Sequence, residues 1–386
     1  MIDMLTAVTF EMDDAATAVA EIAAQLELTT KLRKNAVGII SCYPEFLETE
    51  VAKAICGSLP FDVVGCTTMG NGTSAGQGQM MLSLAVLTSD EVSFSAAVSA
   101  PLGKKEYLDQ LKEVYQRAAA ALPEKPSLLI SFAPMVDYLS GDVMIEALNG
   151  ISGGLPIFGT LPSDHTTDYS QSHTIFNGEL YGDAMPLLLL SGPVNPRFFI
   201  ISIPEKNRQK QQAIITSSEG NVLHKVNDMP LLDYLATLGI DSSTGMDSIK
   251  IVPFVVDYND GTTPVARGIY RFMSDGSAMC GGLMPCHSTL SIGSLEYDDV
   301  ISTAKEIIGK ALAVPDVNCL LIFSCICRGW ALGMDTMAEL ETVREAVNGA
   351  VPYAMCYAGG EICPVYNEQG ETFNRFHNYT CVLCAL

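Results

Sequence analysis

Three short stretches near the C-terminal end carry the side chains most able to do chemistry: Ser324-Cys325-Ile326-Cys327-Arg328, Gly359-Gly360-Glu361 and Phe376-His377-Asn378-Tyr379-Thr380. The first leaves an apolar run that reads as a buried strand. The second ends another such strand, and the third opens the last one. If those strands are neighbours, Cys325 or Cys327, Arg328, Glu361, His377 and Asn378 converge at one sheet end, with Gly360 letting the backbone turn or a ligand approach. A cation and an anion at one crevice suit a zwitterion such as a free amino acid. Arg328 would clasp the carboxylate bidentately and Glu361 would accept from the ammonium. In a second reading Arg328 and Glu361 pair with each other and tie two loops together. Cysteine beside histidine also raises nucleophilic catalysis, since His377 could draw the proton from Cys325. Burial at an apolar strand end works against that by raising the thiol pKa.

Other chemistries are poorly supported. No Gly-x-Ser-x-Gly elbow is local to these groups, and the sequence has no phosphate-binding Gly-x-x-x-x-Gly-Lys loop and no His-Glu-x-x-His pair. Cys381-x-x-Cys384 has the spacing of half a zinc site, but residues three apart on a strand point to opposite faces, and no second pair follows. The twelve cysteines sit among core-type residues and are expected to be reduced thiols without disulfides. No cofactor is expected, because haem would need an axial ligand in an apolar pocket that nothing marks. His173, His224 and His287 read as surface or strand polar positions. His165, in the polar loop Ser163-Asp164-His165-Thr166, offers an alternative ligand site with Asp164.

The elements that must position these groups alternate between strand and helix. Strands are expected at 6–10, 35–41 and 61–64, then at 79–87 and 92–98, with helices at 13–26 and 44–56. The pattern recurs with helices at 104–122 and 141–148 and strands at 127–132 and 156–158. A hairpin is expected around Asn177-Gly178, then strands at 184–191 and 198–203. A third copy has helices at 296–312 and 335–348 and strands at 319–325, 353–357 and 378–384. The aligned runs VGIISC…VVGCT, LLISFA…PIFGT and LLIFSC…YAMCYAGGE point to an internal repeat, with Gly65, Gly159 and Gly359 at matching strand ends. A β-rich stretch at 211–290 lies between copies two and three. The fold class is therefore α/β with mixed sheets: two domains, 1–208 and 209–386, built from repeated β-α-β units with added antiparallel strands.

Composition narrows the function. The 386 residues carry 22 basic and 44 acidic groups, a net charge of −22, which argues against binding a polyanion, so no nucleic acid is expected. The basic cluster Lys206-Asn207-Arg208-Gln209-Lys210 reads as a solvated loop. No run is long enough to span a bilayer and the N-terminus has no signal-peptide pattern, so a cytoplasmic protein without membrane contact is expected. Charged residues are only 17%, against roughly 25% in an average domain, which implies surface covered by a second domain or subunit.

The stretch IFGTLPSD…TIFNGELYGDAMPLLLLSG resembles the FIST N-terminal domain. The stretches ITSSEGNVLHKVNDMPLLDYL, PVARGIYRF, LLIFSCICRGWALG, GGEICPV and FHNYT resemble the FIST C-terminal domain. The resemblance implies a sensory input module that binds small ligands, with amino acids the leading proposal and a haem-binding, nitric-oxide-sensing branch known. It implies ligand-site positions at Cys325, Arg328, Gly360, Glu361, His377 and Asn378, and a further matching position at Arg267. Cys327 departs from the family's frequent glycine. With no kinase, cyclase or receptor domain in the sequence, signalling would require a separate output protein.

Overall fold

The computed structural model describes residues 1–166, 168–240 and 252–386. The chain begins with β1 (Asp3–Thr9) and α1 (Ala15–Leu26), whose start is capped by Asp14 accepting from the amides of Ala16 and Thr17. Ala18, Ile22 and Leu26, each four residues apart, turn one buried stripe of α1 to the sheet. β2 (Asn35–Cys42) crosses through α2 (Val51–Gly57) to β3 (Val63–Thr67), its parallel partner. A hairpin of β4 (Asn71–Thr73) and β5 (Gly76–Gly78) and a return strand, β6 (Leu82–Ser89), complete the unit.

The same order recurs. The second unit runs β7 (Ser93–Val98), α3 (Tyr107–Ala120), β8 (Pro126–Phe132), α4 (Gly141–Ser152) and β9 (Ile157–Thr160). Its hairpin, β10 (Thr174–Phe176) and β11 (Glu179–Tyr181), turns at Asn177 and Gly178, both at positive φ as a two-residue primed turn requires. β12 (Pro186–Ser191) returns. The third unit starts with β13 (Arg197–Ile201) and is then interrupted by a β-rich insert. The insert holds β14 (Ala213–Glu219), β15 (Val222–Val226), β16 (Met229–Pro230), α5 (Leu231–Thr237), β17 (Phe254–Asp257), β18 (Val265–Arg267), β19 (Ile269–Phe272), β20 (Ala278–Cys280) and β21 (Thr289–Ile292). The unit resumes with α6 (Tyr297–Leu312), β22 (Leu320–Cys325), α7 (Ile326–Ala331), α8 (Ala338–Val347), β23 (Tyr353–Ala358), the hairpin β24 (Glu361–Tyr366) and β25 (Thr372–His377), and β26 (Cys381–Ala385).

Three six-stranded sheets result, with one shared order: β1-β6-β2-β3-β10-β11, β7-β12-β8-β9-β24-β25 and β13-β26-β22-β23-β4-β5. Each unit lends its hairpin to another. β4 pairs with β23, β10 with β3, and β24 with β9. The inner faces of all three sheets share one core that includes Val64, Phe132, Phe158 and Phe323, while each outer face packs on its own helices. Strands covered on both faces read as continuous apolar runs, which is why the chain is rich in hydrophobic and poor in charged residues. The fold is thus α/β with mixed sheets, as the alternation predicts.

Some details differ from the sequence expectation. The chain forms two strands at 361–377 where none was expected, and α7 follows β22 without a loop. Gly65 and Gly159 do occupy equivalent points, opposite Ile40 and Ser131, where a side chain would strike the partner strand's carbonyl. Gly359 lies instead beyond the end of β23, against the Pro162 carbonyl. All twelve cysteines are free thiols. Among the described residues, no helix is long and apolar enough to cross a membrane.

Candidate functional site

A cavity of about 400 Å³ lies at the carboxyl ends of β9, β22 and β23, the edge of a parallel pair where open sheets take ligands. The second unit supplies Met135, Leu139, Ser140, Gly141 and Leu161. Cys325, Ile326, Cys327 and Trp330 come from the β22–α7 junction. Ile269, Tyr270 and Met279 of the insert form a cover, with Tyr169, Phe376 and Asn378 completing the wall. Tyr169 and Tyr270 stand with ring centroids 6.3 Å apart, tilted by 54°. A wider hollow of about 670 Å³ near Arg33 is open surface, its cation already paired with Asp3 and Asp90.

Ser140 holds the N-cap position of α4 with extended dihedrals, yet its side chain makes no capping bond, and its buried hydroxyl oxygen has no partner among the described residues. A cap in use is worth about 1 kcal/mol. Ser140→Ala is therefore expected to change the unfolding free energy by less than about 0.5 kcal/mol in urea titrations; a loss above about 1 kcal/mol would show a working cap.

The seven sequence-derived positions divide. Cys325 and Asn378 line the cavity. Gly360, at φ 153°, packs just behind the wall, where a Cβ would collide with the Phe376 ring. Glu361 opens β24 opposite His377 and is fully buried. One of its oxygens accepts from the Thr380 hydroxyl at 2.5 Å, and the Cys325 thiol lies beside the carboxyl group. His377 turns to a different crevice, shared with Thr380, Lys206 and Arg208, and its Nε2 lies 3.4 Å from the Cys363 carbonyl.

Arg328 and Glu361 do not meet. Arg328 is fully buried and pairs with Glu339 of α8, its Nε and Nη2 donating to one carboxylate oxygen at 2.9 and 2.7 Å. Nη2 also donates to Thr303 at 3.0 Å and the Val300 carbonyl at 3.2 Å. Arg267 is equally buried behind the cavity. It donates to Asp142 at 3.0 Å, to the Phe376 carbonyl at 2.8 Å and to the Tyr258 hydroxyl at 2.5 Å, joining the insert to α4. Asp164, the alternative site, is buried and satisfied within its own loop by Thr166, Gln171 and Ser172.

Burial dominates the electrostatics. It pushes the Cys325 thiol well up, reinforced by the neighbouring Cys327 thiol. It also pushes the Glu361 carboxyl well above the usual carboxylate range, with Cys325 beside it adding to the shift. The Tyr270 phenol rises for the same reason. His377 is pulled down to about 3 by burial and then by the Arg267 charge. A buried thiol beside an acid whose own charged form burial disfavours, with the imidazole facing elsewhere, is poorly placed to become a thiolate nucleophile. Among the described residues, no group of three or more His, Cys, Asp or Glu side chains could hold a metal ion.

Sequence reasoning missed Ser140, Tyr169, Tyr270 and the partners Asp142 and Glu339. Ser140 before the Gly-Asp start of a helix is a visible N-cap signal, but nothing local says that the cap is idle. Trp330, the single tryptophan, sits 46% exposed at the cavity mouth.

Two solved structures resemble the chain over its length. One is cyanuric acid hydrolase from A. caulinodans, 9% identical, covering 100% of this chain and 99% of that one with a TM-score of 0.36. The other is a cyanuric acid hydrolase described as an evolutionary innovation by structural concatenation, 8% identical, covering 100% and 98% with a TM-score of 0.35. No curated protein matches the sequence. The FIST N domain matches residues 36–229 and the FIST C domain residues 230–364. With most of its length accounted for by these two domains, the chain belongs to the FIST family.

Proposed function

We propose that this protein is a ligand-binding sensory module that holds a small polar metabolite in the cavity between the second unit, the insert and the β22–α7 junction. FIST domains are associated with sensing small ligands in signal transduction. The observation that carries the reading is the cavity itself: about 400 Å³, walled by separate parts of the chain, apolar over much of its surface and edged with polar groups. The division expected at residue 208 falls between β13 and β14. In this reading 1–208 supplies Ser140 and Leu161, and 209–386 supplies the cover and Cys325. Of the sequence-derived positions, Cys325 and Asn378 contact ligand, Gly360 and Glu361 back the wall, and Arg267, Arg328 and His377 hold the surrounding frame. An amino-acid ligand would keep its charged ends at the mouth, near the exposed Arg271 and Asp168. The output passes to a separate cytoplasmic protein.

The test is a thermal-shift screen of metabolites, followed by the variant Cys327→Phe, which fills the cavity from a half-buried position. A metabolite at a hundredfold its Kd should stabilise the wild type by about 2.7 kcal/mol and leave Cys327→Phe unmoved. Equal stabilisation of both proteins would place binding elsewhere.

A further inference from the structure

We infer that the part of the ligand seated inside this cavity is an uncharged planar ring bearing a hydrogen-bonding substituent; the inference rests on the cavity being the binding site.

The first argument is the charge inventory. The charged residues on the lining are Asp137, Asp168 and Arg271, and all three are exposed at the mouth. Both buried arginines nearby are engaged, Arg267 by Asp142 and Arg328 by Glu339. Glu361, the buried acid beside Cys325, has its carboxyl pushed well above the usual carboxylate range by burial, which disfavours its charged form. Neither an interior carboxylate nor an interior ammonium would therefore find an available counter-charge among the described residues, and a buried unpaired charge is strongly disfavoured. The second argument is shape. Tyr169, Tyr270 and Phe376 give the interior aromatic faces, which favour offset or edge contacts with a flat ring. The volume lies at the small end of ligand sites, about 300–1,000 Å³, enough for one or two fused rings. The third is the polar content. The Ser140 hydroxyl has no partner among the described residues. The Asn378 amide spends one N–H on the His377 carbonyl and accepts from the Gly268 amide at 3.3 Å, which leaves its second N–H for a ligand. Such groups recognise an amide, hydroxyl or ring nitrogen.

The experiment titrates the full chain at pH 7 with three ligands of one ring and similar size: benzamide, benzoate and benzylammonium. Trp330 at the mouth is the chain's single tryptophan, so its fluorescence reports occupancy, and calorimetry gives a second readout. Benzamide is expected to bind at least tenfold more tightly than either ion, and Ser140→Ala to weaken benzamide several-fold. If benzoate or benzylammonium binds as tightly as benzamide, the neutral-interior inference is wrong while the cavity reading stands. If none of the three gives a saturable response by either readout, the cavity reading falls and the inference with it.

Discussion

Arg328→Ala is expected to cost about 3–5 kcal/mol of stability, the usual loss when one partner of a buried ion pair is removed. The guanidinium and the Glu339 carboxylate are both fully buried, so the truncation strands a carboxylate whose other oxygen accepts from the Ser324 hydroxyl at 2.9 Å. Urea denaturation followed by circular dichroism measures the loss. Desolvation offsets much of a buried pair's attraction, so replacing both partners with apolar residues of similar size should be far milder. The double variant Arg328→Met/Glu339→Leu should recover most of the stability. A single variant within about 1 kcal/mol of wild type would show that the pair is solvated in solution and that Arg328 is available to a ligand after all.

Acid should destabilise the protein through His377. Its folded pKa is about 3, against an ordinary value near 6.5 in the unfolded chain. The folded-state value is depressed, so the contribution to stability is fully present above about pH 6.5 and is lost as the pH falls towards 3, where only the unfolded state takes up the proton. The whole span corresponds to about 4–5 kcal/mol. His377→Gln should flatten this part of the stability–pH profile, measured from urea midpoints between pH 3.5 and 7.5; an unchanged slope would mean that the imidazole is reached by water. Glu361 acts in the opposite sense. Its folded pKa is raised, so its contribution is present below about pH 4.5 and is lost as the pH rises towards that folded value. Glu361→Gln should therefore raise stability at pH 7 and do little at pH 4.

The parallel pairs were readable because strands buried on both faces leave continuous apolar runs, and Asn177-Gly178 announced its turn because those two residues tolerate positive φ. The placement of the cavity at strand ends was also readable, with Cys325 at the end of β22 and Asn378 just after β25. The pairing of Arg328 was not. Its carboxylate is eleven residues on, in the next helix, a spacing that leaves no periodic trace. Nor could Asp142 be matched to Arg267 across 125 residues. The 361–377 hairpin was hidden because its partner, β9, belongs to another unit, so no nearby strand in the sequence explains its pattern. Tyr270 gave no signal because the role of the insert as a cover exists only in three dimensions.

The exchange of hairpins also orders events as the chain leaves the ribosome. The first sheet lacks its last two strands until 174–181 have been made, the second its last two until 361–377, and the third its second strand until β26 at 381–385. Two of the three sheets thus keep unpaired backbone edges until residues 361–385 have been made, and open edges invite pairing with other chains. A nascent chain with so many long-range partners outstanding is a natural client for chaperones that shield exposed strands. Its cooperativity arrives late, when residues 361–385 lock two sheets at nearly the same moment.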